Sequence, residues 1–142
     1  MKRMNNRSGF TLLEIIIVII IVGVLASLAL PRFFQTINFS RSTEALNAMG
    51  VVKRAVDHCA IMAGAGAAPI YTNCNAFPLI GADDPGSTPG AHFTYGLGFV
   101  SPSLTMTATA VAGSGSGAIV IVYNTALGTI TRSGTGDFAG IR

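Results

Sequence analysis

A chain of 142 residues has the length of one domain, and setting aside the apolar run near its amino terminus leaves roughly 110 residues, enough for one small core. Only 11% of the residues are charged, and of nine Lys and Arg three (Lys2, Arg3 and Arg7) precede residue 9. Beyond that point six basic side chains balance six acidic ones, so the basic surface that would attract nucleic acid is absent and no nucleic-acid partner is expected.

Residues 7–34 read RSGFTLLEIIIVIIIVGVLASLALPRFF. From Phe10 to Leu30 is a run of 21 residues, which as a helix spans roughly 31 Å, the thickness of a hydrocarbon core. Three basic residues before the run orient the amino terminus toward the cytoplasm. Val24-Leu25-Ala26 and Ser27-Leu28-Ala29 each fit a small-x-small cleavage site, so an ordinary secretory signal is the competing reading. Against it stand the length of the run and the acid at its start, Glu14, from which a cleaved signal gains nothing.

A basic leader ending in Gly9, then Phe10-Thr11-Leu12-Leu13-Glu14, then an Ile, Val, Leu and Ala run with Gly23 and Pro31, resembles the amino-terminal signature of type IV pilins and of the pseudopilins of type II secretion. The resemblance is close over residues 8 to about 34 and loose beyond. It implies that a prepilin peptidase removes residues 1–9 by cutting between Gly9 and Phe10, and methylates the new amino group of Phe10. It implies an inner-membrane protein with a single span, residues 10–30, and a head of residues 31–142 outside the cytoplasm. An acid within a span usually faces a partner. In the family's assembly scheme the partner of Glu14 is the Phe10 amine of a neighbouring copy, while Gly23 and Pro31 mark where the helix is most able to lose hydrogen bonds.

Beyond Pro31 the helical pattern continues. Phe34, Ile37, Ala45, Ala48, Met49, Val52, Ala55, Val56, Cys59 and Met62 recur mainly at spacings of three and four, which predicts an amphipathic helix over 31–63, stopped by Gly64 and Gly66. The first half of this long helix is apolar all round and must lie in lipid or against copies of itself. The second half must lay its stripe on a sheet. Residues 64–92 carry four prolines and no sustained period, and read as a loop.

Cys59 and Cys74 lie fifteen positions apart. In a compartment outside the cytoplasm such a pair most simply forms one disulfide, with two unrelated thiols as the alternative. Strands are predicted at Phe93 to Val100, Leu104 to Val111, Ala118 to Tyr123 and Gly128 to Arg132, with turns at the GSGSG of 113–117 and at Asn124 to Leu127. The expected architecture is therefore α+β, a long helix packed on a small antiparallel sheet of three to four strands within residues 93–133, followed by a tail of 134–142.

Catalytic chemistry is not legible: no nucleophile, base and orienting acid are grouped, and GSGSG has neither the lysine nor the setting of a phosphate loop. His58, His92 and the two cysteines match no zinc spacing, and Asp83-Asp84 lacks the register of a calcium loop, so neither metal nor cofactor is expected. Arg32, Arg41, Lys53 and Arg54 on the helix face either solvent or the Asp83-Asp84 loop of another copy.

The reading is a structural subunit of a type IV pilus, not an enzyme. Its expected partners are copies of itself, minor pilins, the prepilin peptidase and methyltransferase, an inner-membrane assembly platform and the lipid bilayer. A pseudopilin of type II secretion is the alternative, and a secreted binding module with an ordinary signal the more distant one.

Overall fold

The structure, a computed structural model, describes residues 9–66 and 68–141. Residues 1–8 of the expected leader lie outside the described residues. Two compact units divide the chain, one ending at Ile37 and one beginning at Asn38. Helix α1, Leu12–Ala63, contributes to both and carries Pro31 inside it.

In the first unit α1 starts where Thr11 accepts the Glu14 N–H, through its carbonyl at 3.1 Å and its hydroxyl at 3.3 Å. Such a side-chain oxygen satisfies one of the donors that a helix start leaves open. Every residue from 12 to 36 is exposed. Pro31 has no N–H to give the Ser27 carbonyl, yet the helix runs on through it.

The second unit joins the rest of α1 to helix α2 (Phe77–Ile80), a 3-10 turn (Pro85–Ser87), strands β1 (Phe93–Val100), β2 (Ser103–Ala110), β3 (Ala118–Asn124) and β4 (Thr129–Gly134), and a last 3-10 turn (Gly136–Phe138). The sheet is antiparallel throughout in the order β1-β2-β3-β4, each strand pairing with its chain neighbour. Each strand begins and ends within two residues of the expected limits. On β2, Leu104, Met106 and Ala108 are buried while Thr105 and Thr107 are turned to the other face. Period-two alternation produces that division directly.

Ala45, Met49, Val52, Val56 and Ala60 are the buried positions of α1 in the apolar core, facing Phe93, Leu104, Met106, Ala108, Ile119 and Ile121 of the sheet. The stripe is shorter than expected at both ends, because Phe34 and Met62 are exposed. Ser42 takes a buried place instead, its hydroxyl donating to the Phe39 carbonyl at 2.7 Å and so satisfied inside the helix.

The expected loop of 64–92 is corrected by α2 and the first 3-10 turn. A single apolar turn such as Phe77–Ile80 is too short to declare a period. The expected tail of 134–142 packs back on the sheet: Phe138 is buried, with its ring centroid 5.4 Å from that of Phe93. Ser116 N–H donates to Asp137 Oδ2 at 2.7 Å, and Thr135 and Ala118 exchange bonds, which holds the tail against the GSGSG turn. In that turn Gly117 has φ 120°, and a Cβ there would run into the Thr135 carbonyl. Glycine is what permits this approach.

Candidate functional site

Gly9 and Phe10, expected to flank the cleavage point, precede α1 and are exposed, and Glu14 sits in the first helical turn. Gly23 has nothing within 4 Å of the place a Cβ would occupy, and Pro31 lies eight residues further along the same helix. Phe10 and Glu14 are a turn apart in sequence, and the Phe10 nitrogen in the unprocessed chain is an amide, not an amine. Within one chain the segment therefore offers an exposed apolar rod with one carboxylate at its start. α1 is long and apolar enough to cross a membrane. Water is a poor surrounding for such a rod, because each buried CH₂ would gain about 0.8 kcal/mol from an apolar one. Lipid or other helices can supply it.

In the head, Cys59 near the end of α1 and Cys74 in the following loop are disulfide-bonded, their Cα atoms 6.0 Å apart. A second tie lies beside it that composition and spacing did not single out. Lys53 Nζ is 2.6 Å from Asp57 Oδ2 and 4.1 Å from the centroid of the Tyr123 ring. The Tyr71 hydroxyl donates to Asp57 Oδ1 at 3.4 Å, and its ring stacks on Phe99 at 5.7 Å. Burial, reinforced by the Asp57 charge and by Tyr123, pushes the Tyr71 phenol up to about 12. Lys53, one of the cations offered above for contact between copies, is committed to a partner one helical turn away. No sequence signal joins Tyr71 to Asp57, since the pair is formed by the chain doubling back.

His92 Nδ1 lies 3.1 Å from Glu44 Oε2 and so joins the entry of β1 to α1. Burial, with Glu44 and Asp84 nearby, raises the pKa of Tyr95. Asp84 accepts the Gly86 N–H at 2.8 Å, which makes it the cap of the first 3-10 turn. Among the described residues no three His, Cys, Asp or Glu side chains are gathered as a metal would require.

Residues 4–30 match the family model described as the prokaryotic N-terminal methylation motif. The amino-terminal segment is similar to that of type IV pilins. It is 44% identical over 54 residues to fimbrial protein Q and to the type IV major alpha-pilin, both of Moraxella bovis, over 38% of this chain and 34% of each relative. It is 42% identical over 59 residues to a probable minor fimbrial protein of Dichelobacter nodosus, over 42% of this chain and 35% of that relative. The chain spans about a third of the length of the curated relatives it matches. The α+β head beyond is pilin-like in architecture, a long helix laid on a four-stranded antiparallel sheet.

Proposed function

We propose that the chain is a structural subunit of a type IV pilus, anchored in the bacterial inner membrane by the first part of α1 and drawn through it into a helical filament. The observation that carries the proposal is the helix of residues 12–36, exposed on every side, uncharged from Ile15 to Pro31 and matched over residues 12–30 by the methylation motif. A rod of that kind is covered by lipid in the stored subunit and by copies of itself in the filament. Moving between those surroundings changes polarity little, so close packing and the pairing of Glu14 with a neighbour's Phe10 amine set direction and register. Cleavage between Gly9 and Phe10 creates that amine.

The prepilin peptidase and methyltransferase, the assembly platform and minor pilins follow as partners of the same reading. The head stands outside the cytoplasm, first in the periplasm and then on the pilus. The relatives are fimbrial proteins and a type IV pilin, which supports a surface pilus over a secretion pseudopilus. Mass spectrometry of the mature chain tests the proposal. An N-methylated Phe10 as first residue, in chains recovered from sheared filaments, is the expected result. A mature chain beginning at Ser27 or Leu30 overturns it in favour of an ordinary signal.

A further inference from the structure

Helix α1 does not cover the whole sheet. Tyr123 pairs with Ile130, Ile121 with Arg132 and Ile119 with Gly134, so these three β4 residues share the inner face with the buried side of β3. Yet Ile130 is 46% exposed where Ile121 is 6%. Between α1 and this overhanging strand lies a hollow of about 130 Å³. Met49 and Gly50 of α1 form one wall, Met106 and Ile121 the floor, and Ile130 and Arg132 the other wall.

The charge at its rim is specific. Arg132 is the one charged residue in the four strands, and among the described residues it makes no ion pair. Lys53 also lines the hollow but is held by Asp57. An apolar recess with one available cation fits a segment that presents an apolar side chain and a carboxylate a few residues apart.

Another part of the head carries such a segment. Leu79 in α2 is 57% exposed, and Asp83, four residues on, is exposed and makes no ion pair among the described residues. Asp84 is turned inward to the Gly86 N–H. The adjoining turn Pro85–Ser87 rests on β1, where a Cβ on Gly86 would sit 3.0 Å from the Phe93 carbonyl oxygen, and β1 and β4 are the two edges of the sheet. Leu79 itself lies beside the end of α1, its carbonyl 3.6 Å from Cys59 Sγ, so recess and projection are different patches of one head, as a heterologous contact that repeats without closing requires.

We infer that Leu79 of one copy seats in the hollow beside β4 of the next copy, with Asp83 facing Arg132. This contact rests on the filament reading above and names the head surfaces that it uses. Replacing Ile130 in the full-length chain with a benzophenone amino acid, and irradiating intact filaments, gives a direct test. The expected result is crosslinked dimers and higher ladders whose adduct maps to the peptide carrying Leu79. In parallel, Arg132→Glu lowers filament yield roughly tenfold, and adding Asp83→Arg to it restores the yield.

An adduct on any other segment, or unchanged filaments from Arg132→Glu, overturns this contact and leaves the filament reading standing. Failure of the unaltered chain to form filaments removes both. Should Arg132→Glu fail to accumulate, the crosslink on the otherwise unaltered chain decides alone.

Discussion

Tyr71 and Phe99 stack with ring centroids 5.7 Å apart, and through this contact the loop that follows α1 is laid on the first strand of the sheet. The Tyr71 hydroxyl reaches back to Asp57 on the helix, so one side chain touches three elements of the head.

The phenol is the group through which this tie responds to pH. Its pKa rises from 10.0 to about 12 on folding, so the folded state favours the protonated form. Stability from Tyr71 is fully present below pH 10 and is lost as pH climbs through about 12. Urea midpoints of the detergent-solubilised chain between pH 8 and pH 12 are expected to fall more steeply for the native chain than for Tyr71→Phe. Parallel curves would refute the assignment.

Removing the disulfide loosens the same loop by a different route. A cross-link closing about fifteen residues is worth roughly 3 kcal/mol by the chain-entropy estimate. The double variant Cys59→Ala with Cys74→Ala should therefore unfold at lower denaturant by about that amount. Reducing the native chain should reproduce the shift, and a midpoint unmoved by either treatment would contradict it.

Phe138 should behave as a core residue although it is four positions from the end of the sequence. It is 2% exposed and packs on Phe93, so Phe138→Ala is expected to cost about 3–5 kcal/mol. Calorimetry of the two chains checks this. A change below about 1 kcal/mol would mean that the tail does not hold the sheet as described.

Glu14 tests assembly, not folding. It lies outside the core, so Glu14→Gln should insert, be processed and keep its head intact. Under the proposed pairing it should nevertheless be depleted at least about tenfold from filaments, a loss equal to roughly 1.4 kcal/mol per subunit. The ratio of variant to native chain in sheared filaments, with both co-expressed, measures this directly. Equal incorporation would reject the pairing.

The parts of this molecule that sequence declares are those governed by local repetition or by a fixed motif. Met106 and Ala108 between Thr105 and Thr107 announce a half-buried strand, because alternation alone decides which side faces the helix. Ala45, Met49, Val52 and Val56 announce the helix stripe in the same way. The stripe fails at Phe34 and Met62, which are apolar and yet exposed. Ser42 escapes notice because a hydroxyl bonded within its own helix is buried at little cost.

Contacts made by the chain returning on itself carry no such signature. Phe138 on Phe93 and Tyr71 on Asp57 join residues far apart in sequence, and nothing local distinguishes these aromatics from exposed ones. Arg132 reads as one more surface cation until its register opposite Ile121 places it on the inner face. The amino-terminal segment was legible for a different reason, since Gly9, Phe10 and Glu14 fall within residues 4–30, which match a known motif as a continuous stretch of sequence.

Every buried residue of the head lies at or beyond Ser42, whereas the apolar rod ends before Ile37. The buried core of the head is therefore drawn, among the described residues, from Ser42 to Phe138 alone. Changes confined to residues 12–36 therefore leave every one of those buried positions untouched.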